Sequence, residues 1–227
     1  MKYLFYIFLF IFITSCGGDK VILLPEVNHS EVTEVLDISP AYIFYDETKP
    51  DSLELNRKNL ISTTNWLVNV DKRLTLEQVI PQITYLQNKK KDSNHKKEGV
   101  KNYYTCSDTS IKNLGFLEFT DVNYITDVDA YENNSPLEKD MKHITISFFD
   151  EQISIQELLN AKEIRNTTLK NSFLEEELNK IQQDNAKTKI DLMFHSELTF
   201  QDYISAKSKV SRIKSEAIAI NNYEFIF

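Results

Sequence analysis

The residues with the clearest chemical potential belong to one acidic stretch of the chain. Carboxylates at Asp127, Asp129 and Glu138 occupy positions 1, 3 and 12 of a calcium-loop spacing. Calcium prefers such a ring of oxygen ligands, but Glu132 stands where the loop needs a glycine for its sharp turn. Tyr131 also fills a ligand position. The spacing therefore favours a solvated acidic loop, with a calcium or cell-wall glycan site using residues 127–138 as the alternative.

The sequence contains none of the common motifs of phosphate binding, nucleophilic catalysis or histidine-based metal binding. The four glycines form neither a G-x-G-x-x-G turn nor a P-loop, and no G-x-S-x-G nucleophile elbow is present. The four histidines are isolated, without a second histidine or a cysteine at metal-binding spacing. His143 and His195 flank predicted strands, where an ordinary structural role is expected. We therefore predict a non-enzymatic protein without a cofactor or a resident metal.

The chain begins with the features of an exported protein. Lys2 supplies a positive charge, and Tyr3 to Ile13 is an apolar run of 11 residues, well short of the roughly 20 that span a membrane. The sequence Ile13-Thr-Ser-Cys16-Gly17 follows and resembles the bacterial lipobox. That resemblance implies that residues 1–15 are removed and that Cys16 is lipidated, which would hold the protein on a membrane.

The residues after Cys16 bear on localisation. Lipoproteins of the Bacteroidetes type that reach the cell surface often carry an acidic cluster there, whereas Asp19 stands beside Lys20 in this chain. We therefore expect a periplasm-facing envelope protein, on either the inner or the outer membrane. Cys106 is then the remaining thiol, which excludes an internal disulfide. Burial is its expected state, since free cysteine behaves as a small hydrophobe.

The charge balance argues against nucleic acid as a partner. The formal net charge is −8, and removal of residues 1–15 takes away one lysine and no acid. Lysines cluster only at 89–91 and 96–97, in a turn-rich stretch that is typical of a solvated loop. Recognition of a phosphate backbone needs a basic surface, which this composition does not provide.

A strand followed by a capped helix is the recurrent pattern of the last third of the chain. Ile144 to Phe149 alternates apolar and polar residues, which predicts a half-buried strand. Ser154 and Glu157 have the spacing of a capping box. We therefore predict that a helix begins at Ser154 and runs to about Asn185.

The same pattern occurs twice more. Ile190 to His195 predicts a strand, and Thr199 is the N-cap of the helix after it. Far upstream, Trp66 to Val70 predicts a strand that precedes another cap, Thr75. The chain closes on Tyr223 to Phe227, which predicts a buried terminal strand.

These elements predict an α+β fold, in which a small mixed sheet carries helices on one face. We assign residues 1–15 to a signal peptide and 16–40 to a lipidated N-terminus and tether. Residues 41–140 form a first α+β domain, either a diverged copy of the second domain or a different fold. Residues 141–227 form the second domain.

The order of elements over residues 143–227 resembles the periplasmic domain of ExbD/TolR-type biopolymer transport proteins. The segments that carry the resemblance are Ile144-Thr-Ile-Ser, Ile153-Ser-Ile-Gln-Glu-Leu, Ile190-Asp-Leu-Met-Phe and Leu198-Thr-Phe. It implies a domain that forms dimers beside a proton-driven motor and binds partner proteins or the cell wall. The family's membrane helix and protonatable aspartate are replaced here by the signal peptide and Cys16. The resemblance therefore predicts a lipid-anchored module that binds an envelope protein, alone or as a homodimer, in a TonB/ExbD-like transport or envelope-energising system.

Overall fold

The computed structural model describes residues 20–95, 97–127, 136–184 and 186–227. Within them the chain forms two six-stranded sheets and three α-helices. The strands are β1 Glu26–Val27, β2 Ile38–Tyr45, β3 Leu53–Asn56, β4 Asn65–Val70, β5 Asn102–Asp108, β6 Asn113–Glu118, β7 Asn123–Ile125, β8 Lys142–Phe148, β9 Gln152–Leu159, β10 Lys162–Lys170, β11 Thr188–Phe194 and β12 Ile218–Ile226. The helices are α1 Leu76–Lys91, α2 Leu174–Gln183 and α3 Phe200–Val210. None of the helices in the described ranges is long and apolar enough to cross a membrane.

The first sheet contains β1 to β6. β2 and β3 form an antiparallel hairpin, β4 lies parallel to β2 on its other side, and β5 lies parallel to β4. One edge of β5 pairs with β4 and, at its carboxyl end, with the short β1. The other edge pairs with β6. Helix α1 makes the crossover between β4 and β5, so it runs back from the carboxyl ends of these parallel strands.

The second sheet has the order β10-β9-β8-β11-β12-β7. β8, β9 and β10 form an antiparallel meander, whereas β11 lies parallel to β8, and β12 lies parallel to β11. Helix α2 connects β10 to β11, and α3 connects β11 to β12. The short β7 pairs with β12 and completes the sheet.

The two sheets share one arrangement of strands and one capped helix. β3-β2-β4-β5 in the first sheet corresponds to β9-β8-β11-β12 in the second, with the same strand directions. Thr75 precedes α1 and Thr199 precedes α3, as predicted. The second sheet adds β10 and α2, which have no counterpart between β3 and β4. The prediction of an α+β fold is confirmed, as are the strand at 144–149 and the terminal strand.

The helix predicted to begin at Ser154 is wrong, because this segment forms β9 and β10 and α2 begins only after them. Ile153 and Ile155 are fully buried, whereas Ser154 between them is half-exposed. That alternation has the period of a strand. Glu157 lies on the buried face with the two isoleucines and forms an ion pair with Arg165 of β10 instead of capping a helix.

The boundaries of the halves also differ from those expected at residues 41 and 141. β1 lies within the segment expected to be a tether, and β2 begins at Ile38. β7 precedes the expected boundary at 141, yet it pairs with β12 of the second sheet. We therefore use "first half" for the first sheet with α1, and "second half" for the second sheet with α2 and α3.

One hydrophobic core runs through both halves. Buried residues of β4 and β5, such as Val68 and Tyr104, belong to the same cluster as Ile144 and Phe194 of the second sheet. The ring of Tyr104 in β5 lies 5.1 Å from that of Phe200 at the start of α3, in an edge-to-face arrangement. Such pairs add to the free energy gained by burying each ring. The two halves are therefore packed as one body.

The shared core predicts a single cooperative unfolding transition. Phe200→Ala removes a fully buried ring that contacts both halves, so we expect the free energy of unfolding to fall by about 3–5 kcal/mol. Denaturant unfolding followed by tryptophan fluorescence and by circular dichroism should give coincident transitions. Lys58→Ala, at an exposed position of the first half, should change stability by no more than about 0.5 kcal/mol. Two separate transitions would contradict a shared core.

Candidate functional site

The two halves meet at two equivalent segments, residues 71–77 and 195–201, which we call the seam. Leu76 N–H donates to Leu198 O over 2.9 Å, and Phe200 N–H donates to Leu74 O over 2.7 Å. A second pair of bonds is related in the same way, since Glu77 N–H donates to Ser196 O and Gln201 N–H donates to Lys72 O. Thr75 and Thr199 face each other as an antiparallel bridge. Each bond has its counterpart when the loops are exchanged, so the seam has a local two-fold symmetry.

The sequence explains why the seam forms. The first amide groups of a helix have no acceptor within the helix. At the starts of α1 and α3 those amides find acceptors in the opposite loop, while Leu74 and Leu198 are buried beneath them. Each loop supplies the donors that the other loop's carbonyl groups need. The repeated Leu-Thr pair, at 74–75 and 198–199, is the sequence signal for this contact.

Three tyrosine hydroxyls form a buried chain close to the seam. The Tyr104 and Tyr124 oxygens are 2.5 Å apart, those of Tyr124 and Tyr203 are 3.0 Å apart, and Tyr203 donates to Glu224 Oε2 over 2.8 Å. Because the one proton of Tyr203 points to Glu224, Tyr124 donates to Tyr203 and Tyr104 donates to Tyr124. The chain links β5 of the first half to β12 of the second half.

The carboxylate at the end of this chain is fully buried. Glu224 has 0% of its surface exposed, and its second oxygen forms an ion pair with Lys207 of α3. Burial raises the pKa of Tyr104 and Tyr203 well above the usual value and also raises that of Tyr124. The phenols therefore stay protonated and act as donors. The Tyr203 hydroxyl and the Lys207 ammonium each contact one oxygen of Glu224, so the buried carboxylate has both a hydrogen-bond donor and a counter-charge.

β10 presents an open sheet edge. It has nine residues, and in the described part of the chain it pairs with β9 alone. Its side chains alternate between exposed and half-exposed, and Ile164 is 51% exposed. Arg165 points back to the body, where it pairs with Glu157 of β9 and with the buried Glu177 of α2. Other sheet edges in the described residues are shorter: β3 has four residues, β7 has three, and β6 has six, one of which, Phe116, is bridged by Val32.

Two of the three candidate calcium ligands, Asp127 and Glu138, lie within the described residues. Asp127 and Glu138 lie on either side of residues 128–135, and Asp129 is outside the described residues. Glu138 contributes its backbone N–H, which donates to His143 Nε2 over 2.7 Å. Within the described ranges, no group of three or more His, Cys, Asp or Glu side chains is placed to hold a metal ion.

The two strand-end histidines lie at opposite ends of the second sheet. His143 pairs with Lys189 at the start of β11, whereas His195 follows the end of that strand. Six residues of strand separate them, which corresponds to about 20 Å. His143 is buried and accepts a backbone hydrogen bond, while His195 packs against the rings of Phe149 and Phe227. Both have structural surroundings.

The reactive side chains elsewhere are also held in structural contacts. Cys106 is buried as predicted, and burial together with the nearby Asp108 raises the pKa of its thiol to about 12. Burial lowers the pKa of Lys90 to about 8 in a cleft of about 240 Å³. The ammonium of Lys90 donates to Lys101 O and to Asn102 Oδ1, and it lies 5.0 Å from the Trp66 ring. These contacts tie the end of α1 to the start of β5.

Comparison with known proteins adds little to this geometry. No family model matches the chain, and no curated protein matches it. A solved structure similar to the chain is that of a Bacteroides thetaiotaomicron protein described as having an actin-like ATPase fold and unknown function. The match covers 84% of this chain and 90% of that chain at 10% identity, with a TM-score of 0.28. At that TM-score the similarity carries no argument about fold or activity.

Sequence reasoning missed the tyrosine chain, the Glu224–Lys207 pair and the free edge of β10. One signal was available for Glu224, since it is a charged residue between Tyr223 and Phe225 in an apolar terminal strand. Tyr104 and Lys207 give no such signal, because their partners are distant in sequence. The edge was missed because β10 was assigned to a helix. Cys16 lies outside the described residues.

We predict a large loss of stability when the buried ion pair between Lys207 and Glu224 is broken. Lys207→Met leaves the Glu224 carboxylate buried without its cation, and we expect the free energy of unfolding to fall by about 3–5 kcal/mol. Adding Glu224→Gln should restore most of that loss, because the uncompensated charge is then gone. Lys209→Met, two positions along the same helix, is the matched control and should shift stability by less than about 0.5 kcal/mol. Denaturant titration measures the free energy of unfolding of all three variants. If Lys207→Met leaves that free energy unchanged, the pair is not buried.

Proposed function

We propose that this chain is a non-enzymatic, lipid-anchored protein of the cell envelope that binds a partner protein by strand addition at β10. The free edge of this nine-residue strand is the observation that carries the proposal. An extended segment of the partner would continue the second sheet through main-chain hydrogen bonds, and its alternate side chains would give specificity.

The form of the edge supports a selective role. Natural edge strands are protected from unwanted pairing by lysines, bulges and twist. β10 has Lys162 and Lys170 at its two ends, and its register shifts between Glu163 and Arg165. After the register shift, the strand is regular from Arg165 to Lys170, and this run remains open to pairing. A partner strand of about six residues fits it.

The resemblance to ExbD/TolR-type domains suggests where such a partner acts. That family works as dimers, and this chain contains two equivalent strand and capped-helix units joined at a two-fold seam. We infer that the two halves of one chain take the place of two subunits. The partner would then belong to a TonB/ExbD-like transport or envelope-energising system, with this chain supplying docking and no proton path.

The anchor and the absence of catalysis rest on separate grounds. The likeness of residues 13–17 to the lipobox supports lipidation of Cys16, and Lys20 beside Asp19, in place of an acidic cluster, supports a periplasm-facing position. Among the described residues, the perturbed groups Cys106, Lys90 and the buried tyrosines are each engaged in packing or hydrogen bonds. These contacts give each perturbed pKa a structural cause, which supports the proposal of a role without catalysis.

Proline substitution at two successive positions of β10 tests the edge. In an antiparallel strand, one of two neighbouring residues directs its N–H to the partner strand and the other directs it outward. Of Thr167→Pro and Thr168→Pro, one should therefore lose stability by breaking the ladder to β9, and the other should keep its melting temperature. We expect the stable variant to lose the partner, because the outward donor is gone.

A photoreactive residue at the exposed Asn166, which neither proline variant replaces, is introduced into the full chain in native envelopes and provides the binding readout. Lys58, exposed beside the free edge of the first sheet, is the matched control position. We expect one envelope protein to be captured from Asn166, not from Lys58, and to be lost in the stable proline variant. Equal capture with and without the proline would refute strand addition at β10.

A further inference from the structure

The described chain begins on a segment that is fixed to the body. Residues 20–31, which we call the strap, start at Lys20, whose ammonium lies 2.9 Å from Asp46 and 2.5 Å from Glu54. Leu23 O accepts a hydrogen bond from Lys72 N–H over 2.7 Å, and Leu23 N–H donates to Asp71 over 3.2 Å. The strap therefore lies on the carboxyl ends of β2 and β4, not free in solution.

The strap continues onto the second half. Pro25 O accepts from Ser107 N–H at the end of β5. Glu26 exchanges two backbone hydrogen bonds with the side chain of Gln201 in α3, at 2.8 and 3.0 Å, and its carboxylate pairs with Lys72 at 2.6 Å. Because both halves hold it, the strap moves with the whole body.

The length of chain before the strap is short. Cys16 precedes Lys20 by four positions. Each residue spans at most about 3.6 Å, so the Cα atom of Cys16 lies within about 14 Å of that of Lys20 whatever its conformation. The polar layer of one leaflet is roughly 5–8 Å deep. A lipidated Cys16 therefore keeps Lys20 within roughly 6–9 Å of the outer surface of the headgroup layer.

We propose that the end of the first half around Lys20 rests directly on a phospholipid bilayer. This inference depends on the proposed lipidation of Cys16. The contact surface comprises Lys20, Val21 and Leu23 of the strap with residues 46–50 of the β2–β3 connection. Val21 and Leu23 are 70% and 41% exposed. These two apolar side chains suit the headgroup layer, where they enter the interface, while the Lys20 ammonium stays neutralised by Asp46 and Glu54.

The position of α1 gives the proposal an orientation. The strap lies at the carboxyl ends of the parallel strands, and α1 runs away from those ends for 16 residues, a distance of about 24 Å. The residues after α1, including the exposed Asn94, are therefore at the end of the first half away from the bilayer. Depth in the membrane should differ sharply between Val21 and Asn94.

Fluorescence quenching on vesicles tests this orientation. The full lipidated chain, carrying Val21→Cys or Asn94→Cys, is labelled with a small fluorophore and placed in phosphatidylcholine vesicles that contain a headgroup nitroxide. Cys106 stays unlabelled because it is buried and its pKa is raised. We expect the label at position 21 to lose most of its emission and the label at position 94 to keep it. Weak quenching at both positions of a vesicle-bound protein would overturn the orientation and leave the anchor intact.

Two variants separate the orientation from the anchor. Twelve Gly and Ser residues inserted before Lys20 add a flexible spacer of roughly 19 Å, and the protein should stay on the vesicles while quenching at position 21 is lost. Full quenching despite the spacer would refute the argument from chain length. Cys16→Ser should abolish flotation with vesicles. If the unmodified chain also fails to float with vesicles, the proposed anchoring is wrong, and the orientation falls with it.

Discussion

The fold depends on one constraint, the need of helix-start amides for acceptors in a buried place. Amide groups buried without partners are costly, and the first turn of every helix has several. At the seam, the first amides of α1 and α3 find acceptors in the opposite loop: Leu76 N–H donates to Leu198 O, and Phe200 N–H donates to Leu74 O. The leucines and Phe200 that surround these bonds are buried, so water does not compete for them. The shared core and the tyrosine chain lie around that contact.

Local sequence patterns predicted the elements whose burial agrees with their own periodicity. The strand at Ile144, the caps Thr75 and Thr199, and the terminal strand are of this kind. Ser154 was misassigned because its spacing to Glu157 imitates a capping box, whereas burial of Ile153 and Ile155 against the core decides for a strand. Tertiary packing overrides a local motif whenever the two disagree on which face is buried.

The polar interior could not be predicted in the same way. Tyr104, Tyr203 and Glu224 belong to three different elements, and only the packing of the two halves brings them together. Lys207 occupies an ordinary position for a solvent-facing residue of a helix, yet it reaches a buried carboxylate. A single sequence records neither which elements meet nor which face of α3 lies between the sheets. Cys106 was predicted correctly because burial is the default for an unpaired thiol.

The unequal halves have a consequence for stoichiometry. Two identical subunits related by a two-fold axis present every surface twice and can bind two partners at once. In this chain the second half carries β10 and α2, whereas the described residues between β3 and β4 of the first half form no corresponding strand or helix. In the described part of the chain, a free edge as long as that of β10 therefore occurs once, on the second half. A partner that adds a strand there, as proposed, would bind in a single copy and with a fixed polarity relative to the whole body.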